Sequence, residues 1–268
     1  MSTYMFDQAW QRERQRLASL EALFDAASRR HLVQRGLRPG WRCLEVGCGG
    51  GSLALWLADQ VGPTGAVLAT DLDTRFIQQH GRDNLEVRTH NVLTDPLERD
   101  SFDLAHARAV LEHLPQREQA LANLVAAVRP GGWVVVEDVD VGGPALPGLV
   151  QHVWPPARAS LYERMLRAIA ALYTHMGGAA DFGARLPMTL AHAGLGCVAA
   201  EVHTQILRGG PPPSWISLTF EQVRPRLVGV GLLDQAEVDE LRGLFADPDF
   251  RYPTPFMVTA WGQRPARA

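Results

Sequence analysis

A doubly wound α/β sheet of seven strands, mainly parallel and carrying helical lid insertions, is the fold class the sequence predicts. Three observations predict it. Short apolar runs without alternation recur between helical segments up to residue 140, as expected for parallel strands buried on both faces. Four glycines fill five positions, 47–51, straight after the first such run, where a strand would turn into a helix. Beyond residue 140 the rhythm breaks into Gly/Pro-rich and helical stretches.

The elements follow in order. Residues 8–27 carry Leu17, Leu20, Phe24 and Ala27 at helical spacing between Arg and Glu residues, an amphipathic helix. Pro39-Gly40 breaks it. "WRCLEV" is the first strand, "SLALWLADQV" a helix stopped by "GPTG", and "AVLAT" the second strand, followed by Asp71. "TRFIQQH" reads as a short helix, "LEVRT" and "SFDLAHA" as strands three and four, and "REQALANLVAAV" as a helix ended by "RPGG". "WVVVED" is the fifth strand. "FGARLPMTLAHAG" is a helix, "CVAAEVHTQIL" a sixth strand, and "TPFMVTAWGQ" a seventh.

This divides the chain into an N-terminal helical cap (1–35), a core (36–140), a helical lid insertion (141–181), the core resumed (182–208), a second helical insertion (209–250), and a final strand and tail (251–268).

Composition narrows the function classes. The chain has 268 residues, 46% hydrophobic and 21% charged, with a formal net charge of −3. That balance suits a globular protein with a sizeable core and gives no electrostatic basis for nucleic-acid binding. No run of 18 apolar residues is present, so no membrane span is expected. The N-terminal stretch lacks the layout of a signal peptide, which points to the cytoplasm. Cys43, Cys48 and Cys197 have no ligand-like spacing. All 26 basic residues are Arg, which excludes Schiff-base, pyridoxal-phosphate and P-loop lysine chemistry.

The glycine loop discriminates between ligands. A dinucleotide fingerprint G-x-G-x-x-G starting at Gly47 would need glycine at Ser52, and one starting at Gly49 would need it at Ala54. The pattern [D/E]-x-G-x-G-x-G fits instead, as Glu45, Gly47, Gly49 and Gly51. Here the chain resembles the class I S-adenosylmethionine-dependent methyltransferases, over residues 41–140. "LEVGCGGGSL" is similar to their first motif, "LATDLD" to the second and "THNVLTDPL" to the third, with Asn91 where the family usually has Asp. "SFDLAHARAVLEHLP" and "VRPGGWVVVED" follow in the family's order. The nearest likeness is to the actinobacterial group acting on natural products and small molecules.

The resemblance implies the Rossmann-like methyltransferase fold, S-adenosylmethionine as cofactor and S-adenosylhomocysteine as product. It also implies roles for particular residues. Backbone at Gly47, Cys48, Gly49 and Gly51 would hold the cofactor's carboxylate, and Glu45 its ammonium. Asp71 would accept from both ribose hydroxyls, Asn91 would meet the adenine amino group, and Leu72 and Val92 would sandwich the purine. Backbone at Ala107 and Arg108 would face the methionine part. His113, in "LEHLP", would stand near the methyl acceptor as a base or a positioning group.

Both insertions leave from strand ends that border the ligand crevice. Trp154, Tyr162, Tyr173, His175, Trp215 and Phe220 would line a roofed apolar pocket, with Asp138 at a strand end and Tyr4 and Trp10 on the N-terminal cap. Such a pocket favours methylation of a small, largely apolar secondary metabolite, O- or C-methylation ahead of N-methylation. Nucleic acid, membrane and metal are not expected, and an exposed face on the first helix would permit a homodimer. Two other readings stand beside this one: a SAM-binding protein that is non-catalytic or performs a non-methylating reaction, and, less well supported, an NAD-dependent oxidoreductase. Local alternatives also stand: Asp71 as a helix N-cap, Arg108 as an ion-pair partner, and His106 as a structural residue inside its strand.

Overall fold

The computed structural model describes residues 10–77 and 81–266; Tyr4 lies outside them. The chain enters the fold through α1 (Glu13–Gln34), then β1 (Arg42–Val46), α2 (Ser52–Val61), β2 (Ala66–Asp71), β3 (Leu85–Thr89) and β4 (Phe102–Arg108). A single 3₁₀ turn, Leu111–His113, leads to α3 (Arg117–Ala127) and β5 (Val128–Asp140). The helices α4 (Leu146–Val150), α5 (Ala159–His175) and α6 (Phe182–His192) precede β6 (Gly196–His203) and β7 (Ile206–Arg208). Helices α7 (Trp215–Gly229) and α8 (Gln235–Ala246), then strands β8 (Arg251–Pro253) and β9 (Phe256–Gln263), complete the described chain.

Seven strands form one sheet in the order β3-β2-β1-β4-β5-β9-β6, and β7 pairs with β8 in a small second sheet. Strands β1 to β5 run parallel, while β9 is antiparallel to both β5 and β6. Strand alternation sends successive side chains to opposite layers. Leu44, Val46, Ala105, Ala107, Val134 and Val136 pack under α3 and α6. Cys43, Val67, Ala69, Leu104 and Val135 pack against α2 and the end of α1. The strands are apolar throughout because both faces are covered, and each fully buried aliphatic side chain contributes roughly 1.5–3 kcal/mol.

A third layer is helical. Helices α4, α5, α7 and α8 share one core with Tyr252 and Phe250, so the two stretches flanking the sixth strand pack against each other rather than separately. Among the described residues no helix is long and apolar enough to cross a membrane.

Four elements differ from expectation. Helix α1 runs to Gln34 instead of 27, because Ser28, His31 and Leu32 continue its buried face. Strand β5 begins at Val128 and passes through the "RPGG" expected only to stop a helix, with a register shift opposite Phe102 and Leu104. The expected sixth strand is two strands: β6 ends at His203, and β7 turns away to pair with β8. The expected short helix at 74–80 is a turn as far as Ile77, and its last three residues lie outside the described chain.

Candidate functional site

The glycine loop is shaped by what presses on it. Gly47 has φ +71°, and a Cβ there would lie 2.2 Å from Val110 Cγ2. Gly51 has φ +89°, and its Cβ would meet Ile77 Cδ1 at 2.3 Å. Positive φ and close approach together leave only glycine room at both positions. Strand β2 delivers Asp71 to the same place. Its Oδ2 accepts from the Gly49 N–H at 2.9 Å and its Oδ1 from the Asp73 N–H at 3.0 Å. Burial pushes the Asp71 carboxyl up and these backbone donors pull it back.

The loop opens into a cleft of about 1130 Å³, counted out to its open mouth. At one end stand Asp71, Leu72, His90, Asn91 and Val92; at the other stand Val110, Glu112, His113, Tyr173 and Trp215. Helix α1 covers the middle with Arg16, Leu17, Leu20 and Glu21.

Most residues expected at the site meet in this cleft: Glu45, Gly47, Cys48, Gly49, Asp71, Leu72, Asn91, Val92, Arg108, His113, Tyr173 and Trp215. Several do not line it. Gly51 is buried behind the loop, where it starts α2 and packs on Ile77. Ala107 points into the α3/α6 layer, because alternation along β4 turns it away from the crevice. Tyr162 and Phe220 are buried in the helical core; the Tyr162 hydroxyl donates to the Pro253 carbonyl at 2.5 Å. Trp154 is 61% exposed and its backbone pairs with Arg251. His175 is exposed at the end of α5. Trp10 sits under the Arg12 guanidinium, away from the cleft. Asp138 is fully buried beneath the cleft wall, where its Oδ1 accepts from the Val110 N–H at 3.0 Å. The neighbouring carboxylates diverge: Glu137 takes the Ser28 hydroxyl at 2.7 Å and Asp140 takes the Gly143 N–H at 2.8 Å.

Under the loop runs a buried ionic chain. Glu45 on β1, His106 on β4 and Glu137 on β5 lie on the α1 side of three adjacent strands. His106 Nδ1 is 2.7 Å from Glu45 Oε2. Its Nε2 stands 3.6 Å from Glu137 Oε1, an ion pair beyond hydrogen-bond reach. Burial opposes charge on this ring, but the Glu45 charge, followed by contacts with Glu137, outweighs it and raises His106 to about 9. Glu137 is held below its ordinary value, its burial overcome by His106, Arg108 and Ser28. Arg108 donates to Ser28 Oγ at 2.9 Å and to Asp25 Oδ1 at 2.8 Å. The chain thus ends on α1.

The other end of the cleft is also charged and buried. The His113 ring stacks on Tyr173, centroids 5.0 Å apart and 22° between planes. Burial, with the Arg16 charge behind it, lowers His113 to about 3, so the ring is neutral. Glu112 Oε2 accepts from the Val139 N–H at 2.6 Å and Oε1 from the Tyr173 hydroxyl at 3.2 Å. Burial raises Glu112 to about 8 and pushes Asp138 up as well, the charge of Glu112 adding to the effect on Asp138. Burial also raises the Cys43 and Cys48 thiols, so neither is a thiolate.

Four ionisable cleft residues escaped the sequence reading: Arg16, Glu21, His90 and Glu112. Arg16 and Glu13 form a buried pair, 2.6 Å from Nη2 to Oε1. The signal was there, since Arg16, Leu20, Phe24 and Ala27 share one helical stripe. His90 is buried against the cleft, and neither ring nitrogen has a partner among the described residues.

A glycine cradle at the end of the first of five parallel strands, an acidic residue ending the second, and a final antiparallel strand define the class I methyltransferase fold. Residues 44–134 match the family model described as a methyltransferase domain. Among curated relatives, the ubiquinone/menaquinone biosynthesis C-methyltransferase UbiE of Cupriavidus taiwanensis is 37% identical over 112 residues, covering 39% of this chain and 46% of that protein. Methyltransferase str2 of Strobilurus tenacellus is 36% identical over 100 residues, 37% of this chain and 36% of that protein. The chain therefore spans less than half the length of these relatives. Phosphoethanolamine N-methyltransferase 2 of Haemonchus contortus, solved with S-adenosyl-L-methionine, superposes with a TM-score of 0.61 at 14% identity, covering all of this chain and 60% of that one.

Proposed function

We propose that the protein transfers a methyl group from S-adenosylmethionine to a small, largely apolar molecule, at an ionisable hydroxyl or at the carbon such a hydroxyl activates. The observation that carries this reading is the single cleft joining the Gly47–Gly50 loop and Asp71 to the chamber of His113, Tyr173 and Trp215.

The residues present suit the cofactor. Loop N–H groups and the α2 N-terminus favour its carboxylate. Glu45 and Glu21 offer carboxylates to its ammonium, and the chain Glu45, His106, Glu137, Arg108 and Asp25 has one net negative charge for that ammonium to neutralise. Asp71 suits the ribose diol. His90, with its ring nitrogens unsatisfied, and Asn91 suit the adenine edge, between Leu72 and Val92. Asn91 Oδ1 already accepts from the Leu93 N–H at 3.0 Å, so His90 supplements it. When bound, the cofactor supplies an electrophilic methyl group on a sulfonium.

The chain's own residues set the rest. Tyr173 and Trp215 form flat apolar walls. Arg16 disfavours an ammonium acceptor and favours negative charge developing on oxygen. His113, neutral and buried, can take the hydroxyl proton. The cover of α1 over the cleft excludes water and leaves no open groove for nucleic acid, in keeping with the net charge of −3. UbiE, a C-methyltransferase of quinone biosynthesis by its name, supports small-molecule chemistry of this kind.

Two measurements test the reading. S-adenosylmethionine and S-adenosylhomocysteine at about 100 times their dissociation constants should each add roughly 2.7 kcal/mol to stability, while NAD adds nothing. Incubation with S-adenosylmethionine and matched panels of phenols, hydroxyquinones and amines should yield methylated hydroxy compounds. Methylated amines alone would overturn the assignment of acceptor.

A further inference from the structure

One face of the sheet carries three ionisable side chains where an apolar core would suffice. Two residues back along β1, β4 and β5, that face presents Cys43, Leu104 and Val135, packed with α2. At the next position on the same side it presents Glu45, His106 and Glu137, each at most 3% exposed. Apolar residues of similar volume commonly serve stability as well as a buried ionic group or better. The charges begin where the strands reach the cleft, and that placement points to a ligand.

The contacts give the group a direction. His106 Nδ1 meets Glu45 Oε2 at 2.7 Å, and register fixes the approach, with Glu45 opposite His106 on the neighbouring strand. On the other side of the ring, Nε2 stands 3.6 Å from Glu137 Oε1, and Glu137 Oε2 accepts the Ser28 hydroxyl of α1 at 2.7 Å. The imidazole is therefore set between two carboxylates, one of them tied to α1. Burial opposes charge on the ring, but Glu45, followed by contacts with Glu137, raises it to about 9, so the ring is an imidazolium that donates from Nδ1. Glu45 lines the cleft beside Gly47 and Cys48, whereas His106 does not reach it. Among the described residues Glu45 Oε1 accepts no hydrogen bond.

We propose that His106 is a positioning residue for the cofactor: it holds Glu45 Oε2 from inside the sheet, so that Oε1 is presented to the ammonium of S-adenosylmethionine. This rests on the reading of the cleft as a cofactor site and of Glu45 as the partner of that ammonium.

The charges support the arrangement. Glu45 and Glu137 share one imidazolium, and the ammonium brings a second positive charge to the oxygen that His106 leaves uncovered. Because His106 does not reach the cleft, the ammonium meets the carboxylate and not the ring. A carboxylate fixed before the ligand arrives loses little freedom on binding. An apolar residue at position 106 would leave two buried carboxylates with no cation between them, and Glu45 without the contact that orients it.

The test uses two ligands and needs no turnover. One is S-adenosylhomocysteine; the other is the same molecule with hydrogen in place of its amino group. Calorimetry at neutral pH gives the ratio of their dissociation constants. The wild type should prefer S-adenosylhomocysteine by about tenfold to a hundredfold, the worth of a charge-assisted hydrogen bond. In His106→Leu the preference should fall below about threefold, while the analogue itself binds as in the wild type. His106→Asn, which keeps a neutral donor close to where Nδ1 stands, should restore part of it. An unchanged preference in His106→Leu overturns the proposal. So does an equal loss for both ligands, which would mark His106 as a purely structural residue, and so does a preference in His106→Asn no greater than in His106→Leu. Folding is checked by the melting transition. Should His106→Leu fail to fold, the same comparison is made in a Glu137→Gln background, which removes the second buried charge. The underlying reading fails separately. A wild-type preference in Glu45→Gln would mean that the ammonium is held elsewhere. A lowered preference in Glu45→Gln beside an unchanged one in His106→Leu would remove only the role of His106.

Discussion

His106 Nδ1 and Glu45 Oε2 lie 2.7 Å apart inside a fully covered sheet, directly below the glycine loop. They are register partners on neighbouring parallel strands, Glu45 opposite His106, so the pairing follows from the topology. Their charges are joined to α1 through Glu137, Ser28 and Arg108. The floor of the cleft and its cover are therefore one electrostatic unit.

A pH dependence follows. His106 rises from 6.5 to about 9 on folding, so the folded state binds its proton more tightly. The stability this provides, about 3 kcal/mol, is fully present below pH 6.5 and disappears as pH rises through 9. Denaturant unfolding should show an alkaline loss of about that size. NMR should show His106 titrating near 9, and Glu45→Gln should lower that midpoint. A ring that titrates at its ordinary value in the folded protein would remove the ion pair from the account.

Asp71 is the carboxylate on which the cofactor assignment depends most. Asp71→Ala should weaken S-adenosylhomocysteine binding by about 1–3 kcal/mol, the loss of charge-assisted hydrogen bonds. Calorimetry reads this directly. Unchanged affinity would leave Asp71 only its contacts with Gly49 and Asp73.

Gly47 separates steric from conformational cost. In Gly47→Ala the new methyl would overlap Val110 and the backbone would be held at φ +71°. Stability should fall by about 1–3 kcal/mol, with loss of cofactor binding. Adding Val110→Ala should relieve the overlap but not the backbone strain, so the double variant should recover only in part. Full recovery would mean that the positive φ costs nothing.

The core was legible in the sequence because its signals are redundant. Parallel strands buried on both faces read as unbroken apolar runs, and a glycine loop between strand and helix has few alternative uses. Asp71, Asn91 and His113 were placed by order and spacing along that core. Aromatic residues of the helical layer were not, because size and apolarity suit a core and a pocket equally: Tyr173 and Trp215 face the cleft, while Tyr162 and Phe220 fill the helical core and Trp154 faces solvent. Arg16 and Glu13 were hidden for the opposite reason. A charged pair on an amphipathic helix reads as its wet face, whereas here the two pair with each other beneath α7, where Gln222 donates to Glu13 at 3.2 Å. Glu112 was overlooked beside His113, since nothing in the letters says that the Val139 N–H would claim its carboxylate.

The hold of α1 on the sheet can be tested at Asp25. This carboxylate accepts from Arg108 at 2.8 Å and from the Ser52 hydroxyl at 3.1 Å, tying α1 to β4 and to the first residue of α2. The Arg108 side chain is only 7% exposed, so removing its partner leaves a poorly solvated cation. Asp25→Asn should lower the free energy of local opening of α1 by about 1–3 kcal/mol. Hydrogen exchange of the α1 amides should then quicken by roughly tenfold to a hundredfold, while the amides of β1, β4 and β5 keep their rates. S-adenosylhomocysteine, by bringing its ammonium to a chain of net negative charge, should slow α1 exchange in the wild type and less so in the variant. If the variant quickens exchange equally in α1 and the sheet, α1 opens only when the whole domain unfolds, and the cleft must admit its ligands by some route other than the movement of this helix.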